Sequence, residues 1–550
     1  MLFLWPLLVL LATCCGFVAT SPLNNHGPPT VTLDNATVTG VASGSVNKWL
    51  GIPFTLPPIG NLRFQLPQPI PPYNTSYSAI AYGSSCPQQA VSLPGVPPGL
   101  PTETLNYLSE TIYKIVLPSS EDCLTLNVIA PANASPGSNL PVVIWIFGGG
   151  FESGDTSTYD GSSIVDKAID LNVPAVYVSM NYRLTALGFL ASEEVKQAGV
   201  GNLGLQDQRQ AMIWVQKYIS AFGGDPTKVT IWGESAGAMS VALHMVTNGG
   251  NTEGLFRAAF MQSGSPFPVG DITQGQGYYD FIVNQTGCAG SPDTLQCLRE
   301  VPLDMLMNSI NQTPSSFSYQ SLVVAWLPRV DGVFLTADPQ ELVSQGSVAN
   351  IPFITGDCDD EGTLFSLSSL NITMDSQVEE YVQTYWLPNA PSTIIQQLML
   401  YYPEDITQGS PFDTGNLNAL TPQFKRIAAL MGDAVFQAPR RFFLEQRSSN
   451  QNTWAFLSKR LKTVVALGSF HGSDIFNIYG GNDMTSYLVR FVTNLDPNGA
   501  GQLQWPTWTS NSPNLLTFLD GLIPQQITQD TYRADAMTYL TNMVMQYLFF

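Results

Sequence analysis

The sequence predicts an α/β fold with a large, mostly parallel central sheet and a small antiparallel sheet at the N-terminal end. Two observations predict it. Residues 124–129, 141–147, 175–182, 229–232, 258–262 and 351–355 are near-continuous apolar runs, the texture of strands buried on both faces. Between them lie helical patterns, such as residues 205–219 with Met212, Trp214, Val215 and Ile219 on one side. Strands that alternate with helices build parallel sheets, because a parallel partner is reached only by a crossover long enough to hold a helix.

In chain order, residues 2–12 are almost wholly apolar and lead through Gly16 and Ala19 into a small-residue zone. That is the pattern of a secretory signal peptide, so residues 1–20 are read as a leader and 21–550 as one domain. An apolar run of about a dozen residues is too short for a membrane span, which needs roughly 20. No stable membrane anchor is expected, and the product is expected outside the cell. Export gives a role to six N-x-[S/T] sequons, at Asn35, Asn74, Asn133, Asn284, Asn311 and Asn371, as candidate glycosylation sites. With Cys14 and Cys15 in the leader, Cys86, Cys123, Cys288, Cys297 and Cys358 remain, an odd number for an oxidising compartment. Cys86 with Cys123 and Cys288 with Cys297 are the sequence-local pairings, which leaves Cys358 as a buried free thiol. The net charge of −20 disfavours nucleic acid or an anionic membrane surface as partner.

Residues 30–41 and 46–54 alternate polar and apolar side chains and read as antiparallel strands, closed by Pro57-Pro58-Ile59-Gly60. The segment 86–123 is rich in proline and carries Leu105, Leu108, Ile112 and Ile115 at helical spacing. Long loops in compact domains are usually functional, which makes it a candidate lid. Late in the chain, helical patterns cover 377–385, 392–402 and 421–447, the last interrupted by Pro439.

Ser235 lies in Gly233-Glu234-Ser235-Ala236-Gly237, between the apolar run 229–232 and a helical stretch 236–246. A G-x-S-x-G at a strand-to-helix turn is a nucleophile elbow, with glycines giving room for a cramped backbone. A serine hydroxyl also needs a base, an orienting acid and an oxyanion hole. The chain has three histidines. His26 lies beside the leader, and His244 is nine residues along the same helix from Ser235, on its opposite face, where it packs or meets solvent. His471 stands in a small-residue loop, Leu467-Gly468-Ser469-Phe470-His471-Gly472-Ser473, after an expected strand at 464–466, and is the base by elimination. In the α/β-hydrolase order the acid falls between serine and histidine, after a strand, and the run 351–355 is followed by Asp357, Asp359, Asp360 and Glu361. The residues alone do not choose among those four. Gly148-Gly149-Gly150, after the run 141–147, can aim backbone N–H groups into a site, so Gly149, Gly150 and Ala236 are the expected oxyanion donors. No cofactor, metal or nucleotide is needed.

Five segments in order, S-E-D-C-L-T-L-N-V (120–128), W-I-F-G-G-G-F (145–151), F-G-G-D-P-T-K-V-T-I-W-G-E-S-A-G (222–237), D-E-G-T-L-F (360–365) and F-H-G-S-D-I (470–475), resemble the type-B carboxylesterases and lipases. Residues 402–415 and 420–426 are similar to the fungal Candida-rugosa-like lipases and sterol esterases. The resemblance implies an α/β-hydrolase fold, Glu361 as triad acid, disulfides Cys86–Cys123 and Cys288–Cys297, and a lid in the first disulfide loop. It also implies an acyl chain entering a hydrophobic tunnel. Cholinesterases bind a quaternary ammonium on a tryptophan in that first loop, and residues 86–123 contain none. The expected activity is hydrolysis of lipid esters, triacylglycerols or sterol esters, at a lipid–water interface, by a monomer or homodimer. A short-chain carboxylesterase and a non-catalytic binding module of the same fold are the alternatives.

Overall fold

The computed structural model describes residues 27–90, 101, 102, 104 and 118–547. The expected leader, His26 and most of the expected lid fall outside the described residues. The strands are β1 (Thr30–Leu33), β2 (Ala36–Thr39), β3 (Val41–Ser43), β4 (Val46–Pro53), β5 (Tyr77–Ser78), β6 (Thr125–Pro131) and β7 (Leu140–Ile146). They continue with β8 (Val176–Met180), β9 (Gly224–Glu234), β10 (Ala258–Gln262), β11 (Phe353–Cys358), β12 (Thr453–Lys459), β13 (Asn514–Leu519) and β14 (Gln525–Gln529).

Among the described residues, eleven strands form one sheet in the order β14-β13-β12-β11-β10-β9-β7-β8-β6-β4-β3. From β13 to β8 every neighbouring pair is parallel, and the outer pairs at both ends are antiparallel. Helices cover both faces, so β8 and β10 are buried at every residue, which is why their sequences are continuously apolar instead of alternating. Trp145 of β7 and Trp232 of β9 pack at 4.3 Å between ring centroids, with Tyr479 stacked on Trp232 at 5.3 Å.

The N-terminal part differs in detail from its sequence reading. Residues 30–41 are not one strand, because Asp34 turns the chain at φ 49° and pairs β1 with β2 as a hairpin. The small sheet is mixed, with β5 parallel to β2, and β3 and β4 join the large sheet through β6. The expected strand at 464–466 is a turn, and the strand that delivers the His471 loop is β12, upstream. Ala466 adopts φ 67°, which a strand does not allow. The long helix around Pro439 continues as Phe424–Gly432 and Ala438–Arg447 joined by a π-turn at Asp433–Gln437. A proline cannot donate back along the helix, and the wider turn before it absorbs the missing bond. Both disulfides form as expected, Cys86–Cys123 and Cys288–Cys297, and Cys358 is a buried free thiol.

Candidate active site

β9 ends at Glu234 and the next helix begins at Ala236, so Ser235 alone makes the turn. Its φ of 55° and ψ of −127° lie where side-chain-bearing residues rarely sit. Neighbours hold it there: the Ser235 N–H donates to Gln262 O on β10, and Met239 N donates to Ser235 O, each at 2.9 Å. Both motif glycines are required by close approach. A Cβ on Gly237 would stand 2.0 Å from Ile146 O, and one on Gly233 would stand 2.4 Å from the Gly237 carbonyl carbon. The cramped turn lifts the Ser235 hydroxyl out of the carboxyl end of the sheet.

His471 Nε2 lies 2.8 Å from Ser235 Oγ, and its Nδ1 lies 2.5 Å from Glu361 Oε2. The other Glu361 oxygen accepts from Ser263 Oγ and from Cys358 N, each at 2.6 Å. Phe436 and Phe365 pack on the imidazole at 4.6 and 5.1 Å between centroids and fix its plane. All three relay side chains are buried. Burial pulls the imidazole toward its neutral form, but the charges of Glu361 and Glu234 outweigh it and raise His471 to about 9. Glu234 Oε1 is 3.4 Å from Nε2, and burial pushes this carboxyl up to about 8. The surroundings are thus arranged to stabilise an imidazolium.

The four acids after β11 are sorted by their partners. Asp357 pairs with Arg440 at 2.7 Å. Asp359 faces Lys462 and Lys459. Asp360 pairs with Lys462 at 2.7 Å and accepts from Ser469 N at 2.8 Å. Glu361 is the one that meets His471. His244 is turned away and packs rather than meeting solvent, with Nε2 3.0 Å from Gln208 Oε1 and its ring against Phe334. Burial pushes His244 down to about 3, so it stays neutral.

The glycine run after β7 passes against Ser235: a Cβ on Gly148 would lie 2.8 Å from Ser235 Cβ. Gly149 and Gly150 adopt φ of 105° and 65°. No described residue accepts a hydrogen bond from the N–H of Gly149, Gly150 or Ala236. All three line the same cavity as Ser235 and His471, about 790 Å³ in volume. Phe317, Leu322, Val324, Leu327, Leu364 and Val435 supply apolar wall to it. The six sequon asparagines, Asn35, Asn74, Asn133, Asn284, Asn311 and Asn371, are exposed.

Sequence reasoning did not pick out Glu234, Ser263, Phe365 or Phe436. Glu234 stood inside the elbow motif and was legible as an acid next to the nucleophile. Phe365 closes the segment 360–365 and was legible there without a role, whereas Ser263 and Phe436 carry no local signal.

A serine, histidine and carboxylate in line at the carboxyl end of a parallel sheet, beside a glycine run, define the class: an α/β-hydrolase. Residues 27–536 match the carboxylesterase family, and the chain belongs to it. It is 44% identical over 498 residues to "Lipase 4" of Diutina rugosa, covering 88% of this chain and 90% of that one. It is 40% identical over 531 residues to "Secreted triacylglycerol lipase LIP1" of Gibberella zeae, covering 93% of this chain and 90% of that one. Among solved structures, Aspergillus niger EstA superposes with a TM-score of 0.79 at 28% identity, covering 94% of this chain and 99% of that one. The protein is a carboxylic ester hydrolase.

Proposed function

We propose that the protein is a secreted lipase that hydrolyses lipid esters, triacylglycerols or sterol esters, through an acyl-enzyme on Ser235. The observation that carries this reading is a complete relay opening into a large apolar cavity. His471 takes the Ser235 proton as Oγ attacks the ester carbonyl, and Glu361 holds the imidazole tautomer and stabilises its charge. The N–H groups of Gly149, Gly150 and Ala236 receive the developing oxyanion. His471 then returns the proton to the departing alcohol, and water releases the acid by the same steps in reverse order. The complete relay disfavours a non-catalytic binding role. The printed names of the relatives from Diutina rugosa and Gibberella zeae support a lipid ester as substrate. With this reading go a leader at 1–20, one domain at 21–550, a lid within 86–123 and glycans on the exposed sequons.

A series of monomeric p-nitrophenyl esters tests it. Each methylene buried in the cavity contributes about 0.8 kcal/mol, close to fourfold in kcat/KM, until the cavity is full. A maximum at acetate or butyrate would support the short-chain carboxylesterase instead. Triglycerides and cholesteryl esters of graded chain length, run side by side, then assign the alcohol.

A further inference from the structure

Gly149, Gly150 and Phe151 are three successive residues at positive φ, 105°, 65° and 62°, the last with a bulky side chain. The two glycines take these angles freely, but Phe151 holds its own only where its surroundings over-determine it. Backbone bonds hold the base of the run: Glu152 N and Ser153 N both donate to Gly149 O at 3.0 Å, and Thr185 N donates to Phe151 O at 2.8 Å. On the cavity side the tether is a side chain. Glu152 Oε2 accepts from Ser316 N at 3.0 Å and from Ser316 Oγ at 2.9 Å, across 164 residues of sequence.

Ser316 is presented by a tight turn, in which Ser318 N donates to Ser315 O and Ser315 N donates to Ser318 Oγ, each at 2.8 Å. The next residue, Phe317, forms part of the apolar wall. The fit is close: a Cβ on Gly150 would stand 2.4 Å from Ser316 Oγ and 3.6 Å from Glu152 Oε2. We propose that Glu152 is a positioning residue that pins the glycine loop to the Ser316 turn and so fixes the Gly149 and Gly150 N–H groups for the oxyanion. This rests on the acyl-enzyme reading above. Glu152 is buried and its Oε1 has no partner among the described residues. Burial pushes the carboxyl up to about 8, against the pull of its two Ser316 bonds, so at neutral pH it holds its place without setting an anion beside the oxyanion.

The test uses the full chain with p-nitrophenyl butyrate as probe. Glu152→Ala lowers kcat about 10- to 100-fold, toward the loss seen when an oxyanion donor is removed, with KM little changed. Glu152→Gln keeps an acceptor toward Ser316 and recovers most of that loss. Ser316→Ala deletes one of the two bonds and leaves every residue of the glycine loop unchanged, and lowers kcat about 2- to 12-fold, the worth of one hydrogen bond. A merely structural role moves the unfolding midpoint but not this split between kcat and KM. Wild-type kcat in Ser316→Ala, or a Glu152→Ala effect confined to KM, overturns the proposal. Ser235→Ala run in parallel separates the two failures, because residual hydrolysis there refutes the nucleophile assignment itself.

Discussion

Ser263 is the sharpest place to perturb the relay without touching it. Its hydroxyl donates to Glu361 Oε1 at 2.6 Å, and only the Cys358 N–H, also at 2.6 Å, shares that oxygen among the described residues. Glu361 is buried, so Ser263→Ala exchanges a charge-assisted bond for an unfilled acceptor position that water does not reach. Hydrogen bonds to charged groups contribute about 1.5–3 kcal/mol to stability, and the variant should unfold earlier in urea by that amount. Activity should fall less. Glu361 keeps Cys358 N on one oxygen and His471 Nδ1 on the other, so the imidazole stays oriented, and the loss is confined to how firmly the carboxylate is aimed as imidazolium forms. An effect of about tenfold on kcat, 1.4 kcal/mol, with KM unchanged is the expected result. The assay is hydrolysis of p-nitrophenyl butyrate alongside tryptophan-fluorescence unfolding. Wild-type kcat together with an unchanged unfolding midpoint would refute the reasoning, because a buried carboxylate would then have lost a short bond at no cost.

Glu234→Gln tests the electrostatics. Burial lowers the His471 proton affinity while Glu361 and Glu234 raise it, so removing the Glu234 carboxyl leaves burial less opposed. The base then deprotonates at lower pH, and the acid limb of the kcat/KM profile should move to lower pH; a shift to higher pH would reverse the assignment. Gly237→Ala sets a Cβ 2.0 Å from the backbone oxygen of Ile146, an overlap that no side-chain rotation relieves. Its cost should lie at or above the top of the usual range of about 1–3 kcal/mol for overpacking, read as lost soluble yield and unfolding midpoint. Arg440→Ala leaves Asp357 buried without the cation it pairs with at 2.7 Å, while Asp530 keeps Arg441 at 2.6 Å, and should destabilise by about 3–5 kcal/mol in chemical unfolding.

Much of the fold was legible because the sheet is covered on both faces. Continuous apolar runs marked β6 to β11 in the sequence, and helices lay between them. What escaped were β12, a buried central strand whose apolar run is only the four residues 454–457, and elements whose patterns are mixed. β13 and β14 form one antiparallel edge, and β14 is half exposed along its length, so its residues read as polar loop. At 464–466 two valines and an alanine suggested a strand, yet they form a turn. Three β-branched or small residues are too few for periodicity to outweigh the tertiary context. The serine and histidine were legible for a different reason: the elbow is a local backbone motif, and three histidines leave little to choose among.

The acid shows where such reading stops. Asp357, Asp359, Asp360 and Glu361 are equivalent by composition and nearly so by position. They differ in which partners the fold brings to each from about 80 to 110 residues away. Arg440 claims Asp357 from the helix after the π-turn, and Lys459 and Lys462, at and beyond the end of β12, claim Asp359 and Asp360. Those three carboxylates neutralise buried or half-buried cations and brace the loops around the site. Glu361 is left with neutral donors on one oxygen and the imidazole on the other, which is the arrangement a triad acid needs, because a resident cation would compete with the imidazolium for the same charge. The choice is therefore made by exclusion among long-range ion pairs; the chemistry of the four side chains does not encode it, and in the sequence only the resemblance of residues 360–365 to the family segment singles out Glu361.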